Sequence, residues 1–421
     1  MQLVTTTETL AEACARLGEA PFVAVDTEFM RETTFWPVLC LIQMAGGQEE
    51  IIVDALAEGL DLAPFFDLMA DEEVVKVFHA ARQDIEIVYH QANIIPHPVF
   101  DTQVAAMVCG FGDAVSYVML VKRLLKKDLD KTSRFTDWAR RPLTDKQLSY
   151  AIGDVTYLRD LFPKLRDQLE QSGRARWLDE EMAVLTDPAT YDTHPEEAWK
   201  RLKMRVKSPK ALAVMMELAG WRERESQAQN VPRRRVLKDD AIYDIANQAP
   251  RTAEELSALR SVHGGFARSA RGKAVLQAVE QGLERDTQSL PRIKRGEPLS
   301  PEASAVMDLL RVLLKAAAAR NRVAPKLIAT ADDLEKIARD SNADVQALKG
   351  WRRELFGEEA LAVKAGKLAL AVQGQSIVTV PHSSAGQSPQ DRGGPASGRK
   401  RKRETRALTL DDTMAHKPTD A

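Results

Sequence analysis

PFVAVDTEF, residues 21–29, reads as a buried strand that ends on two carboxylates. Its β-branched and aromatic residues follow a proline, and the charge begins only at Asp26, which is the pattern of a strand entering a core and leaving it at a site. Asp26 and Glu28 stand two apart, and side chains at i and i+2 share one face of a strand. Like charges held that close repel, and a bound cation is the simplest way to neutralise them. A lone Asp-x-Glu is common at strand ends, so the rest of the chain has to supply its partners.

Working outward, the strand sits in a run of β signals. A short helix precedes it, with Thr9-x-x-Glu12 as its expected capping box. LCLIQMA and EEIIVDA follow as two more short strands, and VVKVFHA then leads into the helical pattern ARQDIEIVYHQA, followed by VFDTQVAAMV. Three neighbouring strands followed by strand–helix alternation predict a mixed sheet with helices on its faces, an α/β domain over residues 1–190. From about Ser149 onward helical patterns take over.

Two of those helices carry further acids. Asp84 falls a few residues into the helix after VVKVFHA. Tyr150 and Asp154, in LSYAIGDVTYL, are four apart and so share a helix face. Four carboxylates from a strand and two helices make a hard oxygen-ligand set suited to Mg²⁺ or Mn²⁺. Two such ions about 4 Å apart can activate a water and stabilise a leaving 3′-oxygen in phosphodiester hydrolysis. The Tyr150 phenol, one turn from Asp154, is placed to orient or help deprotonate that water.

The order Asp-x-Glu, then Asp, then Tyr-x-x-x-Asp resembles the three exonuclease motifs of the DEDD superfamily in its tyrosine branch. The stretches VAVDTEFMRETTFWPVLCLIQ, VFHAARQDIEIV and DKTSRFTDWARRPLTDKQLSYAIGDVTYL narrow the resemblance to the ribonuclease D family. It covers roughly residues 1–375. It implies an RNase H-like nuclease fold, hydrolysis from a free 3′ end to nucleoside 5′-monophosphates, and a role in trimming tRNA precursors. Carried over motif by motif, Asp26, Glu28, Asp84 and Asp154 become ligands of two divalent ions, with Tyr150 beside the nucleophilic water. Gly153 departs from the family pattern at a cost of about 1 kcal/mol in helix propensity, without removing a ligand.

Around this set lie secondary candidates for substrate contact. Phe29, Met30 and Arg31 follow Glu28 directly, and stacking on an aromatic ring accepts any base. Phe35-Trp36-Pro37 is placed in a connection between strands. His79 lies five before Asp84, where a structural histidine is the commoner outcome. Asp101 is set aside as support for substrate or structure. Trp138, Arg140 and Arg141 precede the third motif, where a basic pair can hold a neighbouring phosphate.

The helical half repeats. A shift of about 92 positions superposes Ser208-Pro209 on Ser300-Pro301, Val214-Met215 on Val306-Met307, Asp240 on Asp332 and Ile245-Ala246 on Ile337-Ala338. An ungapped offset predicts two copies of one helical module, over 203–290 and 296–375. These look like the paired HRDC domains of the family. Between Trp199 and Leu237 eleven basic residues face three acidic ones, an excess of eight. Arg222, Arg224, Arg233, Arg234 and Arg235 form its core, and such a surface would bind phosphates without reading sequence. Residues 376–421 turn rich in Ser, Gly, Pro and charge, with Arg399–Arg403 as a basic cluster, and are expected to be a disordered tail.

Composition sets outer limits. At 421 residues two or three domains are expected. Basic and acidic residues nearly cancel (59 against 61), so an RNA partner must be sought in local patches. Cys14, Cys40 and Cys109 are scattered, which excludes a sulfur-based zinc site and gives no reason for disulfides. Neither a secretory signal nor a membrane-length apolar run is present, so a cytoplasmic location, with no membrane and no obligate protein partner, is the expectation. A DNA exonuclease would use the same metal chemistry, but no G-x-x-x-x-G-K-[ST] of an accompanying helicase occurs. A non-enzymatic RNA binder on a nuclease fold predicts a decayed motif, and all five residues are present.

Overall fold

The short apolar runs of the first half pair into one sheet. A computed structural model describes residues 1–129, 136–203, 206–291 and 298–382. The sheet's six strands are β1 (Gln2–Val4), β2 (Phe22–Met30), β3 (Val38–Gly46), β4 (Glu49–Asp54), β5 (Val75–Phe78) and β6 (Val99–Asp101). They stand in the order β1-β4-β3-β2-β5-β6. β2, β3 and β4 form an antiparallel meander, while β1, β5 and β6 join in parallel. This is the expected mixed sheet, with one edge strand, β1, that the sequence reading passed over.

Helices cover its faces: α1 (Thr7–Gly18), α2 (Ala63–Ala70), α3 (Arg82–Ala92), α4 (Thr102–Val108), α5 (Tyr117–Leu125), α6 (Asp145–Gln171) and α7 (Ala175–Leu185). The capping box expected at Thr9 and Glu12 does not form, since both lie inside α1: Thr6 caps the helix, its hydroxyl accepting from the Thr9 amide. Thr144 and Gln147 form a reciprocal capping box on α6, which fixes where that 27-residue helix starts and so the height at which Tyr150 and Asp154 meet the sheet.

The 92-residue offset reappears in the helices. Ser208 and Ser300 each cap a helix that opens on proline, α8 (Pro209–Ala228) and, later, the helix Pro301–Asn321. After α8 come α9 (Arg233–Val236), α10 (Asp239–Gln248), α11 (Ala253–Ser257), α12 (Gly264–Ala267) and α13 (Ala270–Glu284). The second series is α14 (Pro301–Asn321), α15 (Pro325–Ile328), α16 (Ala331–Arg339), α17 (Gly350–Arg352), a π turn over Arg353–Gly357 and α18 (Glu358–Lys364). α9 and α15 begin and end 92 residues apart.

Helices do not run to the end. β7 (Leu368–Gln373) and β8 (Ser376–Pro381) form an antiparallel hairpin around Gly374, whose φ is +62°. Residues 376–381 are therefore a strand, contrary to the disorder expected from position 376. Apolar alternation in LALAVQ and SIVTV, with glycine at the turn, outweighs the polar composition of the flanking text. Residues 130–135 within the third-motif stretch, Arg205 of the basic run, and the tail from 383 with Arg399–Arg403 lie outside the described residues. The three cysteines are free, and among the described residues no helix is long and apolar enough to cross a membrane.

Candidate active site

β2 delivers the first two acids. It lies between β3 and β5, and its apolar residues Val23, Ala24 and Val25 are fully buried. The ladder shifts register between Glu28 and Phe29, a bulge that re-aims side chains at the strand end. α6 crosses this face and brings Asp154. One carboxylate oxygen each from Asp26, Glu28 and Asp154 lies within 4.8 Å of the others. They line a cavity of about 1020 Å³ that also includes Asp84, Tyr150, Phe29 and His79.

Asp84 reaches this cavity by a different route and stands outside the tight trio. It is buried in the first turn of α3, and its Oδ1 accepts from the Thr27 hydroxyl at 2.5 Å. The turn that carries it is held by Asp101. That carboxylate accepts from the backbone amides of Ala80, at φ +62°, and Ala81, while capping α4 through Gln103 and Val104. Asp101 is thus a structural clasp that sets the position of α3.

Burial and mutual repulsion dominate the electrostatics. Asp26 is held well above the usual carboxylate range, by burial first and then by the charges of Asp154, Asp84 and Glu28. Glu28 is pushed up to about 8 by burial, then by Asp154 and Asp84. Burial raises Asp84 to about 7 against the opposing Thr27 hydrogen bond, and Asp154 to about 7 against that of Tyr150. Four acids that resist ionisation together are what a cation would relieve, so the donor set fits hard divalent ions. The Tyr150 phenol is also raised, by burial and then by Asp154, Glu28 and Asp26.

The secondary candidates divide. Phe29 and His79 do line the cavity. His79 is largely structural, however, its Nδ1 bonded to the Thr102 hydroxyl at 3.0 Å. Met30 packs into a small apolar cluster with Trp138 and Tyr150. Trp138 is buried, with its ring 6.1 Å from that of Tyr150, so it backs the phenol and does not face substrate. Arg31 is committed to both oxygens of Glu86. Arg141 is likewise committed to Asp54 and to the carbonyls of Cys40, Trp138 and Arg140, which removes it as a phosphate ligand. Arg140 is exposed and does not line the cavity. Phe35 is buried and Trp36 stacks on His90, 3.8 Å between centroids, away from the cavity.

The basic run is also partly structural. Arg222 is buried against Asp239 and the Leu237 carbonyl, because α8 turns it into its own module. Arg233 grips the buried Glu223 and lies over the Phe35 ring. Arg224 pairs with Glu196. Arg234 and Arg235 are exposed. One cavity residue had no signal in the sequence: Tyr117 at the start of α5 lines it and donates its hydroxyl to the Gly153 carbonyl at 3.0 Å. Only the fold brings that residue to the third motif.

Comparison with known proteins gives the family. Residues 1–170 match the 3′-5′ exonuclease family, and residues 211–279 match the HRDC domain. The chain is 59% identical to ribonuclease D of Nitrobacter hamburgensis over 91% of its length and all of that protein. The chain belongs to the ribonuclease D family. Ribonuclease D of Bartonella henselae is 48% identical over 90% of this chain and 94% of its own. The crystal structure of Escherichia coli RNase D, an exoribonuclease involved in structured RNA processing, superposes with a TM-score of 0.74. It is 26% identical and covers 86% of this chain and 98% of that one. As a ribonuclease D the chain is a hydrolase, a 3′→5′ exoribonuclease with an HRDC domain behind its nuclease domain. Nucleases of this fold typically use divalent metals, and this chain has a cluster of acidic residues, Asp26, Glu28 and Asp154.

Proposed function

We propose that this ribonuclease D trims the 3′ ends of tRNA precursors, releasing nucleoside 5′-monophosphates with two Mg²⁺ or Mn²⁺ ions. The observation that carries the reading is the convergence of Asp26, Glu28 and Asp154 in a cavity that Asp84 and Tyr150 also line. Asp26, Glu28, Asp84 and Asp154 hold the ions. The bound ions would activate the attacking water and stabilise the leaving 3′-oxygen. Tyr150 keeps its proton, which it donates to Asp154, and orients the water through its phenol oxygen, braced by Trp138. Phe29 stacks on the terminal base, which suits an enzyme indifferent to sequence.

In this reading both helical modules, 203–290 and 296–375, are HRDC domains, and the shared helix bounds at a 92-residue offset support the second one. Exposed Arg234 and Arg235 contact the RNA backbone. The enzyme acts in the cytoplasm, where bacterial RNA precursors are made, and needs no protein partner.

The experiment uses a tRNA precursor with a short 3′ extension, labelled at its 5′ end. Stepwise shortening in Mg²⁺, none in chelator, and a loss of about 10²–10³-fold in Asp26→Ala are the expected results. Internal fragments, or undiminished trimming by the variant, would overturn the assignment.

A further inference from the structure

Gln43 lies in the middle of β3, and its partner across the ladder is Asp26 of β2. Cross-strand partners project to one face with Cβ atoms about 5 Å apart. The Gln43 side chain therefore stands beside the Asp26 carboxylate, on the face that α6 covers. Gln43 is fully buried, and neither Oε1 nor Nε2 has a hydrogen-bond partner. Its nearest neighbours on that face are apolar: Leu41 and Ala45 on β3 and Ile52 opposite on β4 are all fully buried, while the flanking Asp54 and Glu50 of β4 are taken by Arg141 and Arg159.

A buried amide left unpaired is unfavourable, and an aliphatic residue of the same shape would suit this position better. The only ionisable group opposite Gln43 in the ladder is Asp26. A carboxylate that gives one oxygen to a metal keeps the other for a donor from the protein, and such donors set the direction of the ligating oxygen. The side chains of a glutamine and an aspartate together span the distance between cross-strand Cβ atoms.

We infer that Gln43 is a positioning residue for Asp26. Its amide N–H donates to the Asp26 oxygen nearest β3 when a divalent ion is bound, which turns the other oxygen toward Glu28 and Asp154. This rests on the reading of Asp26 as a metal ligand.

The test is titration calorimetry of the full chain with Mn²⁺, on wild type, Gln43→Met, Gln43→Leu and Asp26→Asn, with thermal melting in chelator beside it. The two apolar variants should lose about tenfold in Mn²⁺ affinity. Their Tm in chelator should be unchanged or higher, since an unpaired buried amide has been removed. The Mg²⁺ concentration for half-maximal trimming should rise, with KM for RNA at saturating metal unchanged. Wild-type Mn²⁺ affinity in both apolar variants overturns the inference. So does a lowered Tm in chelator, or failure to fold, in both, because that assigns Gln43 to packing. If Asp26→Asn also binds Mn²⁺ as wild type does, the metal-ligand reading itself falls.

Discussion

In the first helical module the side chains that reach the nuclease domain are few and polar. Asn230 accepts from the amides of Phe35 and Trp36, and Arg233, clamped by Glu223, lies over the Phe35 ring. The module keeps its own apolar core, from Leu212 to Leu290. The second module joins differently. Trp351 stacks on Trp177 at 4.5 Å, Arg352 pairs with Glu180 and Glu181, and the Ala324 amide donates to the Met107 carbonyl. Gly110 approaches so closely that a Cβ there would collide with the Arg322 backbone carbonyl. The apolar core of this module is continuous with that of the nuclease, running from Val4 to Ala360. At equivalent positions buried Arg222, Glu223 and Ser226 of α8 become Leu314, Lys315 and Ala318 of α14. A serine-capped helix that opens on proline thus belongs to a clasped attachment at α8 and to the nuclease body at α14.

The largest effect should come from cutting the fused side. Trp351→Ala removes a buried ring and its indole bond to Glu180 and should destabilise by about 3–5 kcal/mol. In urea, nuclease and second module should still unfold in one transition, at lower denaturant. Two separated transitions would break the contrast. A smaller effect is expected from Glu223→Gln, which leaves Arg233 and Arg201 without their shared buried carboxylate. It should weaken the first module by about 2 kcal/mol, with faster amide exchange in α8–α13 and none gained in β2–β6. Exchange gained throughout the sheet would show that this module is fused as well. The mildest variant is Asn230→Gly, which keeps the left-handed backbone (φ +49°) and deletes the side chain. A loss of about 1 kcal/mol confined to Phe35, Trp36 and their surroundings should show in the same exchange experiment. Protection unchanged at those two amides would remove Asn230 from the clasp.

The residues of the acidic cluster were legible because their geometry is local. Asp26 and Glu28 share a strand face by alternation, Tyr150 and Asp154 a helix face by the 3.6-residue turn, and both survive any packing of the elements. Asp84 was legible as a helix acid, but its hydrogen bond to Thr27 depends on how β2 meets α3. The arginines failed for the same reason in stronger form. Arg141 looks like a phosphate ligand until Asp54, 87 residues earlier, is brought beside it, and Arg222 looks solvent-exposed until α8 turns it inward. Charge in a sequence has no partner until the fold supplies one. The hairpin after Lys367 was missed because polar composition was weighed over a window that also took in the flanking tail.

The continuity of one core from Val4 to Ala360 also says something about synthesis. A ribosome delivers β1–β6 and α1–α7 early, yet part of what they pack against is delivered last. The first module, complete by about residue 290 with its own interior, can fold while the nuclease still waits for α14 to α18. Until then the face around Met107, Trp177 and Glu180 stays open to water. Closure of the nuclease body is therefore a late event in the life of the nascent chain, timed by where the second module lies in the gene.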